Sequence, residues 1–248
     1  MSSPRRALVV FTRSPEAEAR AKDLDPESTS GIFAGFLASW KRAAERAGAR
    51  LVISSPPACA KRLSVSPISE GAVVCAQIPA RFGERLAAAV ENVFSLGFSP
   101  VAVVAGDTPA ISDEELDRAF VALEGDGAPL VLGPAGDGGV YLIGLRRPDS
   151  DLLAAVSLRD PKACEKLVLS ARRAGRGISL LARRDEVDSL ADVRRLYRTS
   201  AESPVWNDYR LLLARALSNR SQPLPDPASW SVLPLFPVSP GRAPPAAA

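Results

Sequence analysis

The sequence predicts an α/β protein with a mostly parallel β-sheet and helices on both faces of that sheet. Short apolar runs rich in β-branched residues alternate along the chain with segments of helical periodicity. The runs are apolar at consecutive positions, which is typical of strands buried on both faces. The chain has 248 residues and 46% hydrophobic content, enough to bury a large core. In such sheets, ligands bind beyond the carboxyl ends of the strands.

The first half of the chain supplies four of the predicted strands and two of the predicted helices. The strands are residues 7–11, 51–54, 72–76 and 101–105. Residues 32–47 and 82–96 carry apolar side chains at helical spacing. Gly48 and Gly97 follow them as natural helix stops. The order strand, helix, strand therefore repeats, as a parallel sheet requires.

The second half continues the alternation. Ser112 and Glu115 form a predicted capping box for a helix that runs to about residue 123. Strands at 129–132, 140–145 and 178–182 and helices at 162–174 and 190–198 follow. Ser203 and Pro204 are typical of the start of a last helix that extends through residue 217.

These elements predict a single domain over residues 1–220. Residues 221–248 differ in composition, because eight prolines fall within the last 27 residues. We expect this segment to be an extended or disordered tail.

Composition excludes several classes of function. The chain has no histidine, so catalysis by Ser-His-Asp or Cys-His groups and zinc sites built on imidazole are excluded. The remaining carboxylates, Arg, Lys, hydroxyls and backbone amides suit phosphate chemistry with a hard divalent cation. Three cysteines, Cys59, Cys75 and Cys164, lack C-x-x-C spacing and are expected to be buried free thiols.

Charge and hydropathy limit the partners and the location. The net charge is +3, and the basic residues form no concentrated stripe of the kind that binds nucleic acid. No apolar run is long enough to span a membrane or to form a signal peptide, so we expect a cytoplasmic protein.

Asp107 is the first candidate site residue. It follows the predicted strand 101–105 directly, in the order Gly106-Asp107-Thr108-Pro109. Position alone leaves a structural turn residue and a metal-binding carboxylate as equal interpretations. Gly106 removes bulk beside the carboxylate and Pro109 stiffens the chain after it, which favours the metal site.

Two more acidic residues stand at similar places. Asp137 lies in the glycine-rich turn 133–139, which is most simply a structural turn. Gly138 and Gly139 nevertheless leave amides that we expect to be open to a ligand hydroxyl or phosphate. Asp188 precedes the helix 190–198. It either interacts with that helix N-terminus or supplies a second carboxylate to a divalent ion shared with Asp107.

Three basic residues follow the first strand, where a phosphate-binding loop is expected. They are Arg13, Arg20 and Lys22. Solvated surface charge explains them equally well, because the chain has neither a G-x-G-x-x-G nor a G-x-x-x-x-G-K-[ST] motif.

Three motifs occur in order along the chain: Gly83-Glu84-Arg85-Leu86, Gly106-Asp107-x-Pro109 and Gly133-Pro134-x-x-Asp137-Gly138-Gly139. With them, residues 7–196 resemble a bacterial glycosyltransferase family of the nucleotide-diphospho-sugar transferase superfamily, which has the GT-A fold. The family includes arsenosugar-biosynthesis-type glycosyltransferases, and 2-phospholactate guanylyltransferase is related to it. The resemblance implies a GT-A-like fold.

By this resemblance, Asp107 would bind Mg²⁺ or Mn²⁺, with Asp188 as a second candidate ligand. Gln77 and Arg85 would border the nucleotide. The family's first loop, F-A-K-x-P-x-x-G-x-V-K-T-R-L, is altered here, because its glycine and most of its basic residues are missing. The acidic side chains that this loop has instead would repel a diphosphate unless they point away from it. They are Glu16, Glu18 and Asp23.

The resemblance further implies that Asp137, Gly138 and Gly139 shape the sugar or acceptor side, with Asp107 and Asp137 as the catalytic pair. The expected function is a metal-dependent transferase that uses a nucleotide-activated sugar and a small-molecule acceptor. One alternative is a nucleotidyltransferase that uses an NTP and acts on a phosphorylated small molecule. Another is a catalytically silent member of the fold that binds a nucleotide or a protein partner.

Overall fold

The computed structural model describes residues 6–109, 111–126, 129–157, 160–199 and 209–218. Within these residues, seven strands form one sheet: β1 (Ala7–Phe11), β2 (Arg50–Ser55), β3 (Val73–Ala76), β4 (Val101–Ala105), β5 (Leu130–Pro134), β6 (Val140–Leu145) and β7 (Ile178–Leu180). Their order across the sheet is β3-β2-β1-β4-β6-β5-β7. Only β6 runs antiparallel to its neighbours, β4 and β5. The predicted mostly parallel sheet is therefore confirmed.

The helices, in chain order, are α1 (Pro15–Ala21), α2 (Pro26–Arg46), α3 (Pro57–Leu63), α4 (Phe82–Ser95), α5 (Asp113–Glu124), α6 (Ser150–Ala154), α7 (Ala163–Arg173), α8 (Leu190–Thr199) and α9 (Arg210–Ser218). A short 3₁₀ turn covers Pro67–Ser69. α2 begins six residues before the predicted start, because Asp25 caps it and Pro26 opens it. α1, α3 and α6 were not predicted, since seven residues or fewer carry little periodic signal.

The core is divided between the two faces of the sheet. Leu8 and Val10 of β1 join a cluster with α2, α3 and α5, whereas Ala7 and Val9 join a cluster with α4, α6 and α7. This alternation is what the period of two in a strand requires. β1, β2 and β4 are buried on both faces as predicted. The prediction is wrong for β3, which is half-buried at the edge of the sheet.

A third, smaller cluster connects the C-terminal helices to the domain. Ile32 and Phe36 of α2 pack with Val193 of α8 and with Leu213 of α9. Because α2 also faces the sheet, the last described helix is part of the same globular unit. The proline-rich tail 221–248 and the predicted helix start at Ser203 and Pro204 lie outside the described residues.

Composition led to predictions on the cysteines and on membrane-spanning helices. The three cysteines are free, but they are half-buried rather than buried, so that part of the prediction is wrong. Cys75, for example, is on the edge strand β3 instead of in a central strand. In the part of the chain that the structure describes, no helix has both the length and the apolar character needed to cross a bilayer.

Trp40 connects α2 to the loop that follows β4. Its indole is fully buried, and Nε1 donates a hydrogen bond of 2.8 Å to the carbonyl oxygen of Thr108. Thr108 is also fully buried and is adjacent to Asp107. The helix thereby fixes the backbone just after the candidate carboxylate.

Replacement of Trp40 by Phe should lower the free energy of unfolding by about 1–3 kcal/mol. The Thr108 carbonyl would remain buried without its donor, and that is the expected cost of an unpaired buried acceptor. Urea unfolding followed by circular dichroism measures the difference. A loss below about 0.5 kcal/mol would contradict the assigned role of the indole hydrogen bond.

Candidate functional site

A cavity of about 500 Å³ opens beyond the carboxyl ends of β1 and β4. Eight of the ten site residues predicted from the sequence line it: Arg13, Lys22, Gln77, Arg85, Asp107, Asp137, Gly139 and Asp188. Arg20 is exposed on α1, and Gly138 is in the β5–β6 turn; neither lines the cavity. The sheet edge at which we expected a ligand is thus the edge at which the candidate residues meet.

Lys22 connects two of the predicted metal ligands. Its Nζ donates to Asp107 Oδ2 at 2.7 Å and also contacts Asp188 Oδ1. The Lys22 side chain is only 8% exposed. Burial lowers the pKa of Lys22, but Asp107 and then Asp188 outweigh it and raise that pKa above its ordinary value. The ammonium is therefore charged at neutral pH.

Asp107 has one oxygen left over. Oδ1 is buried and has no hydrogen-bond donor among the described residues, although Oδ2 is paired with Lys22. The turn that carries this carboxylate is packed tightly against Thr12, the residue that follows β1. A Cβ atom on Gly106 would lie 2.1 Å from Thr12 Oγ1, so no larger residue fits there. An unsatisfied carboxylate oxygen held by a tight turn is a ready ligand for a cation.

Glu186 is a candidate site residue that the sequence did not predict. Asp137, Glu186 and Asp188 each place one carboxylate oxygen within 4.8 Å of the others. Desolvation, followed by repulsion from Asp107, raises the pKa of Glu186 to about 8. The sequence carries one hint, because Glu186 and Asp188 flank the apolar Val187. In the structure Val187 is fully buried, and both acids line the cavity.

These carboxylates fit a hard divalent cation. The three clustered oxygens and the unpaired Oδ1 of Asp107 are the type of donor that Mg²⁺ and Mn²⁺ prefer. The arrangement differs from the expected simple pair of Asp107 and Asp188. Lys22 stands between those two residues, and Asp188 is grouped instead with Asp137 and Glu186.

The segment that carries Glu186 and Asp188 is anchored by Glu115 of α5. Glu115 is 7% exposed and accepts hydrogen bonds from Ala182 N at 3.1 Å and Arg184 Nη2 at 2.7 Å. The Tyr141 hydroxyl donates to the Ala182 carbonyl at 3.1 Å.

The capping box predicted at the start of α5 is only half correct. Ser112 Oγ accepts from Glu115 N at 3.2 Å, as a helix cap requires. The Glu115 carboxylate does not turn back to the cap, because it binds the segment 182–184 instead.

The opposite wall of the cavity is formed by Gln77 and Arg85. Arg85 Nη1 donates to Gln77 Oε1, and Gln77 Nε2 donates to the Ser54 carbonyl, both at 2.9 Å. The guanidinium also faces the rings of Phe11 and Phe82 at 5.9 and 5.8 Å. Aromatic faces beside hydrogen-bonding groups are typical of a site that holds a planar ring.

The glycine-rich turn does not offer the free amides that we expected. Gly139 N donates to Asp137 Oδ1 at 2.8 Å, and Gly138 N donates to the Ala135 carbonyl at 3.3 Å. Both amides are used within the turn, so the expectation that they are open to a ligand is wrong. Their hydrogen bonds fix Asp137 instead. A Cβ atom on Gly138 would lie 2.0 Å from the Pro161 carbonyl oxygen, and its φ is +93°.

The acidic residues of the first loop are arranged in two ways. Glu16 and Asp23 are exposed and do not line the cavity, so the expected repulsion does not arise from them. Glu18 does line it, and its carboxylate accepts from Arg13 N at 3.3 Å and Arg13 Nη1 at 3.2 Å. Burial, and then Asp107, raise the pKa of Glu18 above its ordinary value.

Residues 39–158 match the model of a family described as an uncharacterized protein conserved in bacteria (DUF2064). Among solved structures, a protein classed as a nucleotide-diphospho-sugar transferase from Desulfovibrio desulfuricans G20 superposes with a TM-score of 0.72. It is 22% identical and covers 86% of this chain and 98% of its own. No curated protein sequence matches this one significantly.

Two further solved structures share the fold. The manganese complex of Rv0371c from Mycobacterium tuberculosis H37Rv has a TM-score of 0.52 at 22% identity and covers 78% of this chain and 98% of its own. A cytidylyltransferase from Leptospira borgpetersenii serovar Hardjo-bovis (strain JB197) has a TM-score of 0.53 at 13% identity, covering 89% and 100%. These similarities confirm the expected fold class.

Replacement of Glu115 by Ala should destabilise the fold by about 1–3 kcal/mol, because it leaves the Ala182 amide and the Arg184 guanidinium without their buried acceptor. Chemical unfolding measures the loss. Glu114→Ala is the matched control: it removes the exposed neighbouring acid on the same turn and should cost clearly less stability than Glu115→Ala. Equal losses for the two variants would contradict the anchoring role.

Glu186→Gln should flatten the pH dependence of stability. The carboxyl has a folded pKa of about 8 against 4.5 as its ordinary value. The stability contributed by the protonated form is therefore complete below about pH 4.5 and is lost as the pH rises towards 8. Urea unfolding at several pH values should show that the free energy of unfolding of the native protein falls as the pH rises from about 4.5 towards 8, and that the fall is smaller in the variant. The exposed Glu45→Gln variant should retain the native decline, and an unchanged Glu186→Gln profile would contradict the raised pKa.

Proposed function

We propose that the protein is a metal-dependent transferase that uses a nucleotide-activated sugar, that is, a glycosyltransferase. The observation that carries this proposal is the acidic excess of the cavity. Of the described lining residues, six are acidic and three are cationic: Glu18, Asp107, Asp137, Asp160, Glu186 and Asp188 against Arg13, Lys22 and Arg85. Glu186, with a pKa of about 8, is protonated at neutral pH, and the remaining acidic residues still outnumber the cationic ones. A diphosphate enters such a cavity only with a cation that offsets the repulsion.

The acidic side of the cavity would hold the metal. Asp107 would bind Mg²⁺ or Mn²⁺ through its unpaired Oδ1, and Asp188, together with Asp137 and Glu186, would supply the nearby oxygens. When bound, the ion would neutralise the charge that builds on the leaving diphosphate.

The other wall would hold the nucleoside. Phe11 and Phe82 line the cavity beside the Arg85 guanidinium and would supply apolar contact, and Gln77 and Arg85 would supply fixed hydrogen-bonding groups. Because Gln77 is tied to the Ser54 carbonyl and to Arg85, it is oriented before a ligand arrives. Lys22 is a buried cation that contacts Asp107 and Asp188, and it would lie beside the diphosphate.

The acceptor would be a neutral hydroxyl compound. Its oxygen attacks the anomeric carbon of the sugar, the bond from that carbon to the diphosphate oxygen breaks, and the hydroxyl proton passes to a carboxylate. Asp137 would take this role, and its orientation is fixed by the hydrogen bond from the Gly139 amide. An anionic acceptor would be repelled by the same acidic excess that a metal has to offset.

Nucleotidyl transfer is the second candidate, and the shared fold with a cytidylyltransferase supports it. In that reaction a substrate oxygen attacks the α-phosphate of an NTP and pyrophosphate leaves. The two reactions are distinguished by the bond that breaks and by the product that is released.

Calorimetric titration of UDP-, GDP- and dTDP-sugars and of NTPs, each with and without Mn²⁺, tests the proposal. Native protein should bind a sugar nucleotide in the presence of Mn²⁺, and Asp107→Asn should weaken that binding at least about tenfold, because an amide is a poorer cation ligand than a carboxylate. Asp151→Asn is the matched control, since Asp151 is exposed in α6 and does not line the cavity.

Product analysis separates the candidates. Release of a nucleoside diphosphate from a sugar nucleotide supports glycosyl transfer, whereas release of pyrophosphate from an NTP supports nucleotidyl transfer. If native protein binds none of these compounds with Mn²⁺, both transfer reactions are excluded, and the fold serves a different binding function.

A further inference from the structure

Lys22 stands in a position that a divalent cation would also favour. Its ammonium contacts one oxygen of Asp107 and one oxygen of Asp188, and these two residues are candidate metal ligands. The side chain is buried at the end of α1, and its charge is retained. The protein therefore carries a cation of its own inside the carboxylate cluster.

The ammonium and a divalent ion would draw on the same two carboxylates. Lys22 pairs with Oδ2 of Asp107 and leaves Oδ1 unpaired, but a carboxylate that already accepts a hydrogen bond from an ammonium has less negative charge available for a metal on its other oxygen. Two cations a few ångströms apart also repel each other strongly in a partly buried site. A metal that engages Asp107 and Asp188 has to displace Lys22 or accept weaker binding.

We propose that Lys22 is a resident cation that competes with the divalent metal for Asp107 and Asp188. Without metal, it holds the two carboxylates together and limits their mutual repulsion. With metal bound, its ammonium is released to the neighbouring diphosphate. Metal entry and phosphate binding then become coupled through one side chain. This inference rests on the proposed metal-dependent function, because it assumes that the cluster binds a divalent ion.

The altered first loop supports this role. The other basic side chain of that loop in the cavity lining is Arg13, and its guanidinium already pairs with Glu18. Arg20 is exposed outside the lining. Of the basic residues that follow β1, Lys22 is thus the one that contacts the candidate metal ligands, so the competition is concentrated at a single position.

A purely structural role for Lys22 predicts the opposite result. If the ion pairs served only to hold α1 against the site, their loss would loosen Asp107 and Asp188, and metal affinity would fall or stay the same. Competition predicts that metal affinity rises when the ammonium is removed. The sign of the change therefore distinguishes the two roles.

The experiment measures Mn²⁺ alone by electron paramagnetic resonance, which reports free Mn²⁺ without any turnover. Native protein, Lys22→Met, Lys22→Arg and Lys61→Met are titrated in parallel. Met keeps the length and the apolar stem but removes the charge, and Arg keeps the charge. Lys61 is exposed on α3 and controls for loss of one positive charge elsewhere.

Lys22→Met should bind Mn²⁺ about tenfold more tightly than native protein, a typical size for coupling between two bound groups. Lys22→Arg and Lys61→Met should stay near the native affinity. Circular dichroism and thermal unfolding verify that each variant is folded, and Lys22→Gln is the replacement if the Met variant does not fold.

Equal or weaker Mn²⁺ binding by a folded Lys22→Met or Lys22→Gln variant would overturn the inference but leave the proposed function intact. Absence of Mn²⁺ binding by native protein and by every variant would overturn the proposed metal site as well. The two failures are therefore distinguishable.

Discussion

Carboxylates from several separate segments of the chain meet in one cavity, and their mutual repulsion is the constraint that the surrounding structure has to satisfy. The structure satisfies it in three ways. Lys22 lies between Asp107 and Asp188, Arg13 pairs with Glu18, and Glu186 keeps its proton at a pKa of about 8. Each solution places a compensating charge or a proton where desolvation would otherwise expel an acidic group. A cluster of acidic side chains of this kind needs a positive charge or a proton beside it to be stable. A bound diphosphate, which is also negatively charged, would need a neighbouring cation for the same reason.

The β-sheet and α5 hold the acidic segments of the cavity in place. The antiparallel strand β6 lies between β4 and β5, which brings the turn with Asp137 next to the loop with Asp107. Glu115 anchors the segment that leads to Glu186, and the Val187 amide donates to the Asp107 carbonyl at 3.3 Å. Secondary structure therefore sets the positions of the loops, and a few buried polar contacts set their conformations.

The sequence predicts what depends on local pattern and misses what depends on distant contacts. Continuous apolar runs were sufficient for the central strands, and position after β4 was sufficient to predict that Asp107 lies at the cavity. The short helices were missed because one or two turns carry too few periodic positions. The contacts of Lys22 with Asp107 and Asp188 join residues 85 and 166 positions apart, and no local signal reports them. Glu186 was missed for a related reason, since its pKa depends on neighbours that the fold brings together.

The indole of Trp40 has a practical consequence. Its Nε1 hydrogen bond ends on Thr108, the residue next to the candidate metal ligand, and the ring is sealed in the core. The other two tryptophans of the chain, Trp206 and Trp230, lie outside the described residues. The fluorescence of a buried indole depends on its hydrogen bond and on the polarity around it, so Trp40 is an intrinsic fluorescent probe of the Thr108 carbonyl. Once Trp206 and Trp230 are replaced by Phe, so that Trp40 is the sole indole, its emission wavelength would follow rearrangement of the Asp107 loop in real time, without a chemical label.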